Sequence, residues 1–200
     1  MLEKRSIAIA SYFVERKIIS KEDIDIYSYG MLVLFYYLLN IASFLLLALV
    51  FGYLLESVVF LTAFFSLRIF IGGYHSSTHL KCYVVSMLIY GIFLYFIHSI
   101  GLFNDLTIIA LLIFSGITIF LFSPGDTENK RLTKKEKAIY KKKGSIIYLS
   151  EATTVLVLMG IIKFESVVSS IVLAIAASTL LLLILKLMEW RSTNEKGSIE

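Results

Sequence analysis

Apolar residues fall in six blocks, at about 31–51, 54–71, 83–100, 106–122, 145–162 and 167–188, separated by short polar gaps. Each block approaches the ~20 residues that a helix needs to cross the hydrocarbon of a bilayer. None alternates with period two, and only a helix satisfies its own backbone in lipid without closing a barrel. The pattern therefore predicts an all-α, polytopic membrane protein with about six transmembrane helices. Arg68 interrupts the second block, which leaves a tilted or partly re-entrant helix open there. Ahead of the first block, Ile7, Ala10, Val14 and Ile18 recur at helical spacing among Glu3, Arg16 and Lys17. That repeat predicts an N-terminal amphipathic interfacial helix. Ser20 and Asp23 are expected to act as a capping pair for the helix entering the first span.

Composition narrows the class. Hydrophobic residues make up 58% of the 200, with one proline, which is more apolar surface than an ordinary soluble domain of this size can bury. The charged start, with Glu3, Lys4, Arg5, Glu15, Arg16 and Lys17, does not read as a cleavable signal peptide. The single cysteine excludes an internal disulfide and argues against a cysteine-based metal site. No metal, cofactor or nucleic-acid partner is expected. We treat 1–200 as a single membrane domain with an arm at 1–30, a gap at 72–82 and a basic loop at 124–144.

The placement of charge sets the expected orientation. Lys4, Arg5, Arg16, Lys17 and Lys21 precede the first span, and Lys130, Arg131, Lys134, Lys135, Lys137, Lys141, Lys142 and Lys143 crowd the fourth connection. The connections on the other side carry one lysine, Lys163. The positive-inside rule then puts both termini, the gap and the basic loop in the cytoplasm of a cell whose membrane holds the chain, where a thiol stays reduced.

The gap holds Cys82, His75, His79, Gly72-Gly73 and nearby Arg68. A thiol becomes a nucleophile when a base or positive field favours the thiolate. On a continuous helix His79 shares a face with Cys82, whereas His75 would lie about 10 Å along the axis. His75 serves only if the backbone folds back, which Gly72-Gly73 allows, with Ser76-Ser77-Thr78 capping a new helix. Spacing alone slightly favours His79. Arg68, too costly to face lipid, can stabilise an oxyanion, hold a substrate carboxylate, snorkel to the surface, or pair with Glu151, the one acid well inside a span. His98 reads as an interfacial residue.

The pattern Arg68-x3-Gly72-Gly73-x-His75-x6-Cys82 resembles the signature of the AgrB family, membrane cysteine endopeptidases of peptide quorum sensing. The stretch Ser123-Pro124-Gly125-Asp126-x-x-Asn129-Lys130-Arg131-Leu132 with its lysine run is similar to that family's second cytoplasmic loop. The resemblance implies that Cys82 is the nucleophile and His75 its partner, which reverses the preference for His79. Arg68, Gly73 and His79 then become supporting residues, His79 remaining the alternative base. The implied substrate is an AgrD-like pro-peptide whose acidic C-terminal region suits Lys130, Arg131, Lys134 and Lys135. Its cleavage through an acyl-enzyme thioester leads to a thiolactone or lactone ring. A homodimer in the bacterial cell membrane, embedded in the lipid bilayer, is also implied. The competing reading is a small transporter or membrane interaction protein in which Cys82 only packs. A metalloprotease has no His-Glu-x-x-His pattern to rest on.

Overall fold

The computed structural model describes residues 2–73, 78–99, 103–125, 132–162 and 164–197, without the side chains of 162 and 192–197. Seven α-helices cover most of them: α1 (Leu2–Glu15), α2 (Ile24–Phe51), α3 (Leu54–Ile71), α4 (His79–His98), α5 (Asp105–Phe122), α6 (Lys134–Val157) and α7 (Glu165–Gly197). The last six are long and apolar enough to cross a membrane. Stripes such as Leu88, Ile92 and Tyr95 on α4 and Ile113, Ile117 and Leu121 on α5 stand exposed at helical spacing. Apolar faces of that extent suit lipid and not water, and the chain is a multi-pass membrane protein.

The chain divides into two compact units. The first comprises residues 1–51 and 76–88, which are α1, α2 and the opening turns of α4. Here α1 packs on α2 through Ser6 and Ala10, both fully buried, a small-x3-small spacing that lets two backbones approach closely. The Ser6 hydroxyl is satisfied by the Glu3 carbonyl at 2.8 Å. The helix stops earlier than its hydrophobic repeat suggests. Lys17 takes a left-handed φ of 56°, while Lys17 N donates to Val14 O and Ile18 N to Phe13 O, both at 2.9 Å. This Schellman arrangement closes α1 and leaves Ile18 exposed beyond it. The expected Ser20–Asp23 cap also differs: Ser20 Oγ donates to the Asp23 carboxylate at 2.7 Å and makes no bond to a backbone N–H, and a single 3₁₀ turn, Lys21–Asp23, leads into α2.

The second unit comprises residues 52–75 and 89–200. Its centre is α7, where Val168, Val172, Ile175, Leu182 and other side chains are buried against α3 and α5. Buried Ser170 and Thr179 donate to Ser166 O and Ile175 O, whereas the buried Ser178 hydroxyl of the same helix has no hydrogen-bond partner among the described residues. Phe60, Tyr90 and Phe93 stack between α3 and α4, and the Tyr90 hydroxyl donates to Ser57 at 2.7 Å. Tyr148 of α6 crosses α5 at Gly116, where a Cβ would lie 2.7 Å from the phenol oxygen, and donates to Leu112 O at 2.5 Å. At the far ends of α3 and α4, His98 Nδ1 meets the Tyr53 hydroxyl at 2.9 Å.

The six helical spans match the six apolar blocks, with one informative extension. The basic stretch from 134 to 144, read from sequence as part of a loop, is the opening of α6. A capping box, Thr133 with Glu136, starts the helix eleven residues before hydrophobicity does. At its other end α6 passes into a π turn, Leu158–Ile162.

Candidate active site

In the first unit, Thr78 opens α4 by accepting from Lys81 N at 3.3 Å, and Cys82 N donates to Thr78 O at 3.0 Å. Cys82 therefore stands in the first turn, half-buried and unpaired with any other cysteine. That turn is the positive end of the helix dipole, a field that favours negative charge nearby. His79, three residues earlier, lies against two tyrosines of α2. Its ring stacks on Tyr36 at 5.5 Å and 23° and meets Tyr29, also at 5.5 Å, at 51°. One residue after Cys82, the Tyr83 hydroxyl shares a hydrogen bond with Ser43 of α2 at 3.1 Å. Between these contacts on α2, Asn40 donates to Tyr36 O at 3.0 Å while its buried Oδ1 has no hydrogen-bond partner among the described residues.

In the second unit, α3 ends at a glycine turn. Gly72 and Gly73 adopt φ of 74° and 136°, regions that favour glycine. Arg68 folds back along its own helix so that Nη1 donates to Gly72 O at 2.6 Å. A Cβ on Gly73 would collide with that guanidinium, and one on Gly72 would lie 2.7 Å from Gly125 O. Gly125 N donates to Ile71 O at 2.8 Å, so the Ser123-Pro124-Gly125 segment after α5 caps the end of α3. The two sequence motifs that carry the family resemblance thus meet through backbone atoms. A Cβ on Gly125 would in turn lie 2.5 Å from Leu185 of α7, which closes the turn from behind.

The opening of α6 runs antiparallel along α3. Tyr140 packs on Phe70 with ring centroids 5.8 Å apart, Lys143 Nζ stands 5.5 Å over the same ring, and Gly144 lets Ile71 approach. Deeper, Glu151 accepts from Ser66 Oγ at 2.7 Å, and Ser66, not an arginine, is thus its hydrogen-bonded partner. Lys134 and Lys135 are exposed in the first turn of α6. His75, Lys130 and Arg131 lie outside the described residues.

Sequence reasoning missed the α2 contribution. Its signal was present: Tyr36, Asn40 and Ser43 recur at i, i+4 and i+7 in an otherwise apolar span, a polar stripe that lipid would not tolerate. The meeting of Gly125 with Ile71 and Gly72 had no local signal, since 53 residues separate Gly72 from Gly125.

A helical multi-pass membrane protein with its one cysteine at the mouth of a span, beyond an Arg-supported glycine turn, defines the class. The chain belongs to the Accessory gene regulator B family, whose profile matches residues 6–185. This is a family of quorum-sensing peptide-processing proteins. The chain is 32% identical over 174 residues to "Putative AgrB-like protein 2" of Clostridium perfringens strain 13, covering 83% of this chain and 80% of that one. It is 29% identical over 191 residues to "Putative AgrB-like protein" of C. perfringens strain SM101, covering 88% of each. No solved structure matches.

Proposed function

We propose that this protein is a membrane cysteine endopeptidase that cleaves the C-terminal region from a small AgrD-like pro-peptide and releases the signal segment as a thiolactone or lactone. The observation that carries the reading is Cys82 in the first turn of α4, at the positive end of the helix dipole, a field that favours the thiolate.

In the proposed reaction His75 takes the Cys82 proton, and Sγ attacks the carbonyl carbon at the end of the signal segment. The tetrahedral oxyanion collapses, the C–N bond breaks, and the departing amine takes the proton held by His75. What remains is a thioester on Cys82. A Cys or Ser side chain of the same peptide gives its proton to His75 and attacks that carbonyl, the C–S bond breaks, and Cys82 leaves as thiolate, which takes the proton back from His75. The thioester keeps the acyl group activated for ring closure, and a site at the edge of the bilayer limits hydrolysis by water.

Arg68 and Gly73 hold the entry to the gap in this account, through the bond from Nη1 to Gly72 O. The lysines that open α6, together with Lys130 and Arg131, supply a cationic surface for an acidic peptide tail; each exposed pair contributes little, but a cluster steers and retains a partner. By the positive-inside rule these lysines, both termini and Cys82 face the cytoplasm. The active protein is a homodimer in this reading, and α1 lies on the membrane surface. Co-expression of a tagged pro-peptide with wild type, C82A and H75A tests it: cleavage confined to wild type is expected, and undiminished cleavage by C82A would leave only a transport or interaction role.

A further inference from the structure

We propose that His79 is a positioning residue: its ring, wedged between Tyr29 and Tyr36 of α2, fixes the turn of α4 that carries Cys82. The proposal rests on the peptidase reading for its kinetic consequence, and on geometry alone for its structural one.

Tyr29 and Tyr36 are seven residues apart, two turns of one helix and about 10 Å along its axis. A flat ring 5.5 Å from each centroid occupies the space between them. Such tilted and stacked pairs each contribute beyond the area they bury. The second point of attachment is the Ser43–Tyr83 hydrogen bond at 3.1 Å. At 100° per residue, His79 and Tyr83 lie about 40° apart on α4 and share its α2-facing side. Cys82 lies about 60° from His79 on the other flank, between the two attachments along the helix axis though not around it. Two contacts one turn apart define both the rotation of the helix and its sliding along α2, which are the two freedoms that would carry Sγ away from a substrate carbonyl.

The same arrangement disfavours His79 as the base. A base must bring a ring nitrogen within hydrogen-bond reach of the thiol. Among the described residues no hydrogen bond joins His79 to Cys82, and the ring is held by stacking on Tyr36 and a tilted contact with Tyr29. What α2 recognises is an aromatic ring of this size, not a proton carrier. Phenylalanine should therefore replace His79, and alanine should not.

The test uses the full-length protein in lipid nanodiscs, comparing wild type, H79F, H79A and Y36A. Two readouts are taken: pro-peptide cleavage resolved into kcat and KM, and the rate at which a bulky maleimide alkylates Cys82. We expect H79F to keep kcat within about threefold of wild type, while H79A and Y36A lose about tenfold or more in kcat with KM nearly unchanged, the signature of a misplaced nucleophile. Alkylation should quicken about threefold or more in H79A and Y36A as the first turn opens locally, and stay at the wild-type rate in H79F. A well-inserted H79F as inactive as C82A would overturn the proposal in favour of a base. Wild-type alkylation rates in both alanine variants would overturn it as well. If wild type itself cleaves nothing, the peptidase reading fails, yet the alkylation comparison still decides whether the clamp exists. Should H79A fail to insert, Y36A and H79F carry the same decision.

Discussion

Gly73 has no room for a side chain because Arg68 occupies it: any Cβ there would overlap the guanidinium nitrogen that bonds Gly72 O. The φ of 136° adds a backbone penalty for every L-residue. Gly73→Ala must therefore displace Arg68 and reshape the gap entry. We expect G73A to insert normally and lose about tenfold or more of its peptide cleavage, since small displacements of reacting groups are costly. Mass spectrometry of the released peptide, normalised to protein in the membrane, checks this.

The crossing of α5 and α6 depends on one phenol and one glycine. Tyr148→Phe removes the bond to Leu112 O and should cost about 1 kcal/mol of stability. Gly116→Ala places a methyl 2.7 Å from the Tyr148 oxygen and should cost about 1–3 kcal/mol. Both effects should appear as lower unfolding temperatures in detergent, with G116A the larger. The combination with Y148F should be less than additive, because removing the hydroxyl relieves the clash.

Much of this architecture was legible in the chain, for physical reasons that also explain what was not. Blocks of apolar residues report a lipid environment directly, so the span from Leu54 to Ile71 reads the same from sequence and structure. Lys134–Gly144 escaped because hydropathy marks where a helix enters lipid, not where it begins. Only the Thr133–Glu136 pair marks that start. In the candidate site, Cys82 and the glycine pair stood out as rare residues in a short gap. The partners of that gap, Tyr29 and Tyr36 on α2 and Gly125 after α5, are distant in sequence, and ring stacking or backbone capping across such distances leaves no local periodicity.

Glu151 and Ser66 join α6 to α3 through a bond of 2.7 Å inside the span. In a double-mutant cycle of Glu151→Gln and Ser66→Ala, we expect a coupling of about 0.5–1.7 kcal/mol, the range seen for polar contacts between membrane helices. Thermal unfolding of the four proteins in one detergent measures it. Strict additivity would contradict the contact.

Orientation is testable with single cysteines on a Cys82→Ser background. Lys4→Cys and Lys135→Cys should react with a membrane-impermeant maleimide only after the cytoplasmic face is opened, whereas Leu106→Cys, at the start of α5, should react in intact cells. Labelling of all three in intact cells would contradict a shared cytoplasmic side.

The central claim is a covalent one, and intact-protein mass spectrometry addresses it most directly. A pro-peptide whose ring-forming Cys or Ser is replaced by alanine cannot close the ring, so the acyl group should remain on the enzyme. We predict an added mass equal to the whole part of the pro-peptide before the cleaved bond, less one water, that is lost on hydroxylamine treatment and absent from C82A. A pro-peptide cleaved without any such adduct, or an adduct that persists in C82A, would contradict the account.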